Sequence, residues 1–225
     1  VHELSQVLPE DPIITADSGS STNWFARQLK LRKGNLASLS GTLATMVPGV
    51  PYAIAAKFAH PGRPVICFVG DGAFQMLGMN EMLTVKRYMD RWADKRLIFC
   101  VFNNQDLNQV TWEQRVMEGD PKFRGTQWLP NFDYAAYAEL CGLQGIFCDD
   151  GDRVRSAWEE ALAADRPVVL EVKTDPEIPP LPPHIKLEQA EKMAEAMVKG
   201  DPERTGVMEK SLRGKLIEFT EHLRS

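Results

Sequence analysis

Two short apolar runs, Pro64–Val69 and Leu97–Phe102, constrain this chain more than any other feature. Both are compact and rich in β-branched or aromatic residues, without the polar alternation of a half-exposed strand. That is the pattern of strands buried on both faces of a parallel sheet. Leu77–Met89 carries a helical pattern between them, so the three segments predict a βαβ unit with a right-handed crossover. The alternation continues on either side. Glu3–Leu8 reads as the tail of a helix, Pro12–Thr15 as a strand, and the residues around Trp24, Phe25, Gln28 and Leu29 as a helix. Leu36–Leu39 reads as a weak strand and Pro51–Ala59 as a small-residue helix. Downstream, Asn108–Pro130 is polar and irregular. Phe132–Leu140 reads as a helix, Gly145–Cys148 as a strand, Val154–Ala164 as a helix and Val168–Val172 as a last strand. The expected class is α/β: a doubly wound parallel sheet with helices on both faces.

Asp175–Pro183 holds five prolines and reads as an extended linker. Ile185–Val198 and Val207–Leu223 then read as amphipathic helices, broken at Gly200-Asp201-Pro202. The expected organisation is a domain over 1–175, a Pro-rich linker over 176–184 and a helical extension over 185–225. The net charge of −5, with Lys and Arg scattered, gives no footprint for nucleic acid. No apolar run approaches the ~20 residues of a membrane span. The apolar face of Leu212–Leu223 is read as packing against the domain or a partner subunit rather than a membrane. Cys67 and Cys100 fall inside the two strands, and Cys141 and Cys148 lack metal-site spacing. All four are expected to be core thiols in a reducing, cytoplasmic compartment. The chain opens on Val1-His2-Glu3 without a signal peptide, and is read as an excised domain or a fragment of something longer.

Chemistry concentrates where the two runs end. Gly70-Asp71-Gly72 follows the first and Asn103-Asn104 closes the second, at the carboxyl ends of strands, where open α/β sheets hold ligands. One carboxylate with amide and backbone oxygens is a donor set for a hard cation such as Mg²⁺. The glycines allow close backbone approach to an anion and point N–H groups at it. The residues read as a diphosphate held on a divalent metal.

The GDG and NN pair resembles the signature of thiamine-diphosphate enzymes, with a longer interval whose excess falls in Arg87–Arg96. Over Glu3–Leu216 the chain looks like the C-terminal diphosphate-binding domain of the pyruvate oxidase and acetolactate synthase group. The resemblance implies thiamine diphosphate and Mg²⁺ as cofactors, with Asp71, Asn104 and the backbone carbonyl of Asp106 as metal ligands. It implies phosphate contacts from Gly19, Ser20 and Ser21, and from Gly70, Gly72 and Ala73. Ala44, Thr45 and Met46 would hold the pyrimidine, with the Met46 side chain bending the cofactor, and Leu107 would complete the cofactor set. Val110 and Glu113 match the substrate-side positions of pyruvate-oxidase-like members. Trp112 stands one place short of a Trp common in acetolactate synthases, so both reactions stay open.

The family's catalysis needs a Glu from a pyrimidine-binding domain, and nothing here resembles that domain or a flavin-binding one. The resemblance therefore implies part of an active site. A missing segment or another chain would supply the pyrimidine-binding domain in a homo-oligomer acting on a 2-oxo acid such as pyruvate. FAD, where used, would be bound outside this chain. The expected function is that of a pyruvate oxidase or quinone-dependent pyruvate dehydrogenase. The alternatives are an acetolactate-synthase-like carboligase or a separately encoded subunit of a 2-oxo acid decarboxylase.

Overall fold

The computed structural model describes residues 1–180 and 186–211. The expected helix over Val207–Leu223 is described only as far as residue 211, so the apolar face of Leu212–Leu223 lies outside the described residues. Residues 181–185, at the end of the expected linker and the start of the expected extension, also lie outside them. By internal contact the chain divides into two compact units, Val1–Gln105 with Pro130–Thr174, and Asp106–Leu129 with the chain from Asp175 onward.

In the first unit, helix α1 (His2–Val7) leads to strand β1 (Ile13–Ala16), helix α2 (Ser20–Gln28), strand β2 (Leu36–Leu39) and helix α3 (Gly49–Ala59). Strand β3 (Val65–Gly70) runs directly into a helical turn, α4 (Asp71–Ala73), followed by α5 (Glu81–Tyr88) and strand β4 (Leu97–Asn103). The six strands pair in parallel in the order β2-β1-β3-β4-β6-β5, where β5 is Gln144–Cys148 and β6 is Val168–Lys173.

Strand periodicity sorts the core. Val65, Cys67 and Val69 of β3 face one side, packed with Val50, Ala53, Phe74, Met82 and Tyr134. Ile66 and Phe68 face the other, packed with Leu4, Phe25 and Trp158. Every residue from Val65 to Val69 is buried, as a doubly covered strand requires. Cys67, Cys100 and Cys148 are buried free thiols and Cys141 is half-buried.

One detail of the crossover differs from its sequence pattern. The helical path begins at Asp71, not near Leu77, and widens to π geometry over Phe74–Gly78 before α5. Gly78 sits against the Phe74 ring, where a Cβ would come within 2.8 Å. Single-turn widenings of this kind interrupt α-helices and recur at functional sites.

The winding also sets where a ligand can enter. β1 lies between β2 and β3. The chain leaving β1 turns to the face where Phe25 packs, and the chain leaving β3 turns to the opposite face through Ala73 and Phe74. The two exits diverge, which opens a crevice at the carboxyl ends of β1 and β3, the topological switch point of the sheet.

The second unit corrects an expectation. Asn108–Pro130 is not irregular: helix α6 (Asn108–Glu113) runs into a π turn at Gln114–Glu118, and a short helix α7 (Arg124–Gln127) follows. The reason is burial. Trp112 packs with Ala196 and Met197 of helix α10 (Leu187–Val198; α8 and α9, Tyr134–Leu140 and Val154–Ala163, belong to the first unit) and with Val207. The segment that opens the expected linker is tied down, since the Pro176 carbonyl accepts from Asn108 Nδ2 at 2.9 Å and Trp112 Nε1 at 3.3 Å. Among the described residues no helix is long and apolar enough to cross a membrane.

Candidate functional site

Gly70 and Phe102 are register partners on adjacent strands, so Asp71 and Asn103-Asn104 emerge side by side. Asp71 is buried, and its carboxylate gathers backbone N–H groups from both exits. Oδ1 accepts from Gly72 at 2.9 Å, and Oδ2 accepts from Asn104 at 3.0 Å and Gln105 at 2.6 Å. Gln105 reaches this arrangement through a left-handed backbone, φ 58°. A carboxylate and a carboxamide residue are thereby fixed together at the ends of β3 and β4.

The first Asn of the pair is structural. Asn103 Nδ2 donates to Glu171 Oε1 at 2.6 Å, and Glu171 Oε2 accepts from the N–H groups of Tyr134 and Ala135 at 2.9 and 3.2 Å. Glu171 is fully buried within β6. The signal for it in the sequence is a charged residue inside an otherwise apolar strand. Gln75, one turn past Asp71, donates to the Tyr134 hydroxyl at 2.6 Å, and burial pushes that phenol well above its ordinary value.

The other side of the crevice follows β1. Gly19 takes φ 126° ahead of α2. A Cβ built on Gly19 or on Gly70 meets no atom within 4 Å, so open space lies against both glycines. Ser21 is buried with its hydroxyl donating to the Asp17 carbonyl at 3.1 Å, and Thr22 Oγ1 donates to the same oxygen. The Ser21 hydroxyl is thus engaged by its own loop, whereas Ser20 is half-buried at the start of α2.

Asp17 was absent from the expected site residues. It is fully buried, with Oδ1 accepting from Val47 N–H at 2.8 Å and Oδ2 from Gly49 N–H at 3.2 Å. Burial raises its pKa to about 6 against the opposing pull of these backbone donors and that of Ser18. Its signal was positional: an Asp closing β1 as Asp71 follows β3. The segment it holds carries Ala44, Thr45 and Met46. Ala44 and Thr45 are exposed, and Met46 is half-buried against the sheet core. Ala73 is itself a core residue, 2% exposed.

Asp106, Leu107, Val110 and Glu113 belong to the second unit. The Asp106 side chain is buried and accepts from Thr111 Oγ1 at 2.9 Å and pairs with Lys122 at 3.0 Å. Those contacts leave the backbone carbonyl, the group the resemblance implicates, as a separate matter from the carboxylate. Leu107 caps α6 and donates its N–H to Gln127. Val110 and Glu113 are exposed on α6, and Glu113 accepts from Gln109 at 2.9 Å, one turn back.

Among the described residues no group of three or more His, Cys, Asp or Glu side chains gathers as a metal site. A cation at Asp71 would rest on a mixed set of carboxylate, carboxamide and backbone oxygens, the hard-donor chemistry that suits Mg²⁺. The open space at Gly19 and Gly70 suits the phosphates such a cation would carry.

The family model described as "Thiamine pyrophosphate enzyme, C-terminal TPP binding domain" matches residues 17–172. The putative thiamine pyrophosphate-containing protein YdaP of Bacillus subtilis is 35% identical over 88% of this chain and 33% of its own length. The acetolactate synthase isozyme 2 large subunit of Escherichia coli is 32% identical over 77% of this chain and 30% of its own. A probable acetolactate synthase large subunit of Methanococcus aeolicus is 31% identical over 83% and 31%. The chain spans about a third of the length of the curated relatives it matches.

Proposed function

This chain belongs to the thiamine pyrophosphate enzyme family through its C-terminal TPP-binding domain, and on that premise we propose that it anchors the diphosphate of the cofactor through Mg²⁺ in an enzyme that decarboxylates a 2-oxo acid. The observation that carries this reading is Asp71 locked to the Asn104 and Gln105 backbone at the ends of adjacent strands. Asp71, Asn104 and the Asp106 carbonyl would hold the metal. Gly19, Ser20 and the turn from Gly70 to Ala73 would face the phosphates, and Ala44–Met46 would wall the thiamine end. When bound, the cofactor supplies an electron sink for the loss of CO₂. The residues of this chain bind and orient; the acid that switches on the pyrimidine comes from another domain or chain, in a homo-oligomer. Val110 and Glu113 would face the substrate.

Two fates of the decarboxylated substrate stand side by side. The pyruvate-oxidase-like reading draws on Val110 and Glu113 at the sixth and ninth places after Asn104. The carboligase reading draws on the relatives named as acetolactate synthases. Assay of the complete enzyme for acetate, acetyl phosphate and acetolactate separates them.

The binding reading is tested by calorimetric titration with thiamine diphosphate, with and without Mg²⁺, on the wild type, Asp71→Ala and Asp71→Asn. Binding is expected to need the metal and to weaken at least about tenfold in both variants, since loss of a hydrogen-bonded charged group is worth roughly 1.5–3 kcal/mol. Binding indifferent to both metal and substitution would refute it.

A further inference from the structure

The loop ahead of α3 is held in a conformation its residues do not favour. Ala44 and Val47 both take positive φ, 47° and 92°, and they bracket Thr45 and Met46. A β-branched residue in that region is an outlier that persists only where its surroundings enforce it, and such outliers gather at ligand clamps. The enforcing contacts converge on the end of β1. Val47 N–H and Gly49 N–H are each taken by one oxygen of the Asp17 carboxylate, and Thr15 Oγ1 donates to the Gly49 carbonyl at 2.8 Å. Gly49 is pressed so closely on β1 that a Cβ there would lie 2.9 Å from the Asp17 nitrogen. The Asp17 carbonyl meanwhile takes the hydroxyls of Ser21 and Thr22. One residue thus joins the turn after β1 to the loop that carries Met46, through different atoms.

We infer that Asp17 is a positioning residue whose carboxylate sets the Ala44–Met46 wall against the thiamine end of the cofactor, independently of the diphosphate cradle at Gly70–Ala73. This rests on the reading of Ala44–Met46 given under Proposed function. A buried carboxylate suits the task because each of its two oxygens accepts from a different N–H group, whereas a carboxamide would set a donor NH₂ against one of them. The cradle does not depend on it, since Asp71 draws its N–H donors from Gly72, Asn104 and Gln105.

The separation of the two ends gives the test. The wild-type chain and Asp17→Asn are titrated with thiamine diphosphate and, separately, with inorganic diphosphate, both with Mg²⁺, while hydrogen exchange is followed over residues 40–49. Asp17→Asn turns one acceptor into a donor facing an N–H. Thiamine diphosphate is expected to bind about tenfold more weakly, the scale of one lost charged hydrogen bond, with inorganic diphosphate unchanged within about twofold. Residues 40–49 are expected to exchange faster. Unchanged thiamine diphosphate affinity, or equal losses for both ligands, overturns the assignment. Should Asp17→Asn not fold, Thr15→Val loosens the same clamp while preserving shape. The same selectivity is then expected at about threefold, the size of a neutral hydrogen bond, and no loss or a parallel loss overturns it. A wild-type chain that binds no thiamine diphosphate refutes the proposed function instead. The clamp is then judged by exchange alone, and unchanged exchange over 40–49 in the variant overturns it.

Discussion

At the scale of single residues, three of the buried acids serve in three different ways. Asp71 collects backbone N–H groups at a strand end, Asp106 pairs with Lys122, and Asp17 holds a strained loop. Asp17 carries a consequence for stability. Its carboxyl pKa rises from 3.8 to about 6 in the folded chain. Between those values the folded state binds more protons than the unfolded one, so the contribution of this group to stability falls as pH rises. It is fully present below about pH 4 and is lost as pH rises through about 6. Roughly two pKa units correspond to a change on the order of 3 kcal/mol. Measured by urea unfolding, the stability of the wild type minus that of Asp17→Asn is therefore expected to decline by roughly 2 kcal/mol between pH 4 and pH 6 and to level off about a unit higher. A difference that stays flat across the window, or rises, contradicts the assignment. At neutral pH the carboxylate is ionised and this pH-dependent contribution is gone, while its two backbone hydrogen bonds remain.

At the scale of elements, the second unit joins a small apolar cluster to a buried charge network. Arg115 is fully buried and donates to Asp201 through Nε and Nη2, both at 2.9 Å, and to Glu203 at 2.8 Å. Its guanidinium stacks 4.8 Å from the Trp112 ring. Lys122 bridges Glu203 at 2.7 Å and Asp106 at 3.0 Å. Burial pushes Asp201 upward, but the Arg115 guanidinium and the N–H groups of Lys122 and Glu203 outweigh it and hold the carboxyl below its ordinary value. Removing one partner of such a pair strands the other charge, which typically costs about 3–5 kcal/mol. Arg115→Met is expected to destabilise the second unit on that scale and to speed tryptic cleavage at exposed Arg124. Replacing Arg115 and Asp201 together by apolar residues is expected to recover part of the loss. Wild-type protease resistance in the single variant would show that the network contributes little. This is also where the sequence was least legible. Gly200-Asp201-Pro202 reads as a helix break, and it is one, but the partner of Asp201 stands 86 residues away. Periodicity and turn chemistry report on neighbours in the chain, so they identify α10 and its end. They are silent on which distant cation a buried acid will meet. The same blindness turned Asn108–Pro130 into an irregular stretch, because the helix there is stabilised by residues beyond 190.

At the scale of the molecule, the strands and GDG at the end of β3 were legible because each depends on a few adjacent residues. The strand order was not, because it depends on which face each crossover covers. That order places the exits of β1 and β3, more than fifty residues apart, on the two sides of one crevice. A ligand spanning the crevice therefore ties together distant parts of the chain and stabilises the folded state by mass action. At a concentration about 100 times its dissociation constant the gain is roughly 2.7 kcal/mol. For a chain of this size that corresponds to a rise in melting temperature of about 5–10 °C. Thiamine diphosphate with Mg²⁺ is expected to give that rise, inorganic diphosphate with Mg²⁺ a smaller one, and thiamine alone almost none, because in the proposed site the metal and phosphates would supply the attachment at Asp71. The same preparation, given pyruvate, is expected to leave it unconsumed, since binding the anionic end of a cofactor does not activate its reactive end. A shift from thiamine alone that matches the diphosphate form would move the main binding contacts away from Asp71. Steady pyruvate consumption by the isolated chain would mean that the activating acid lies within these 225 residues.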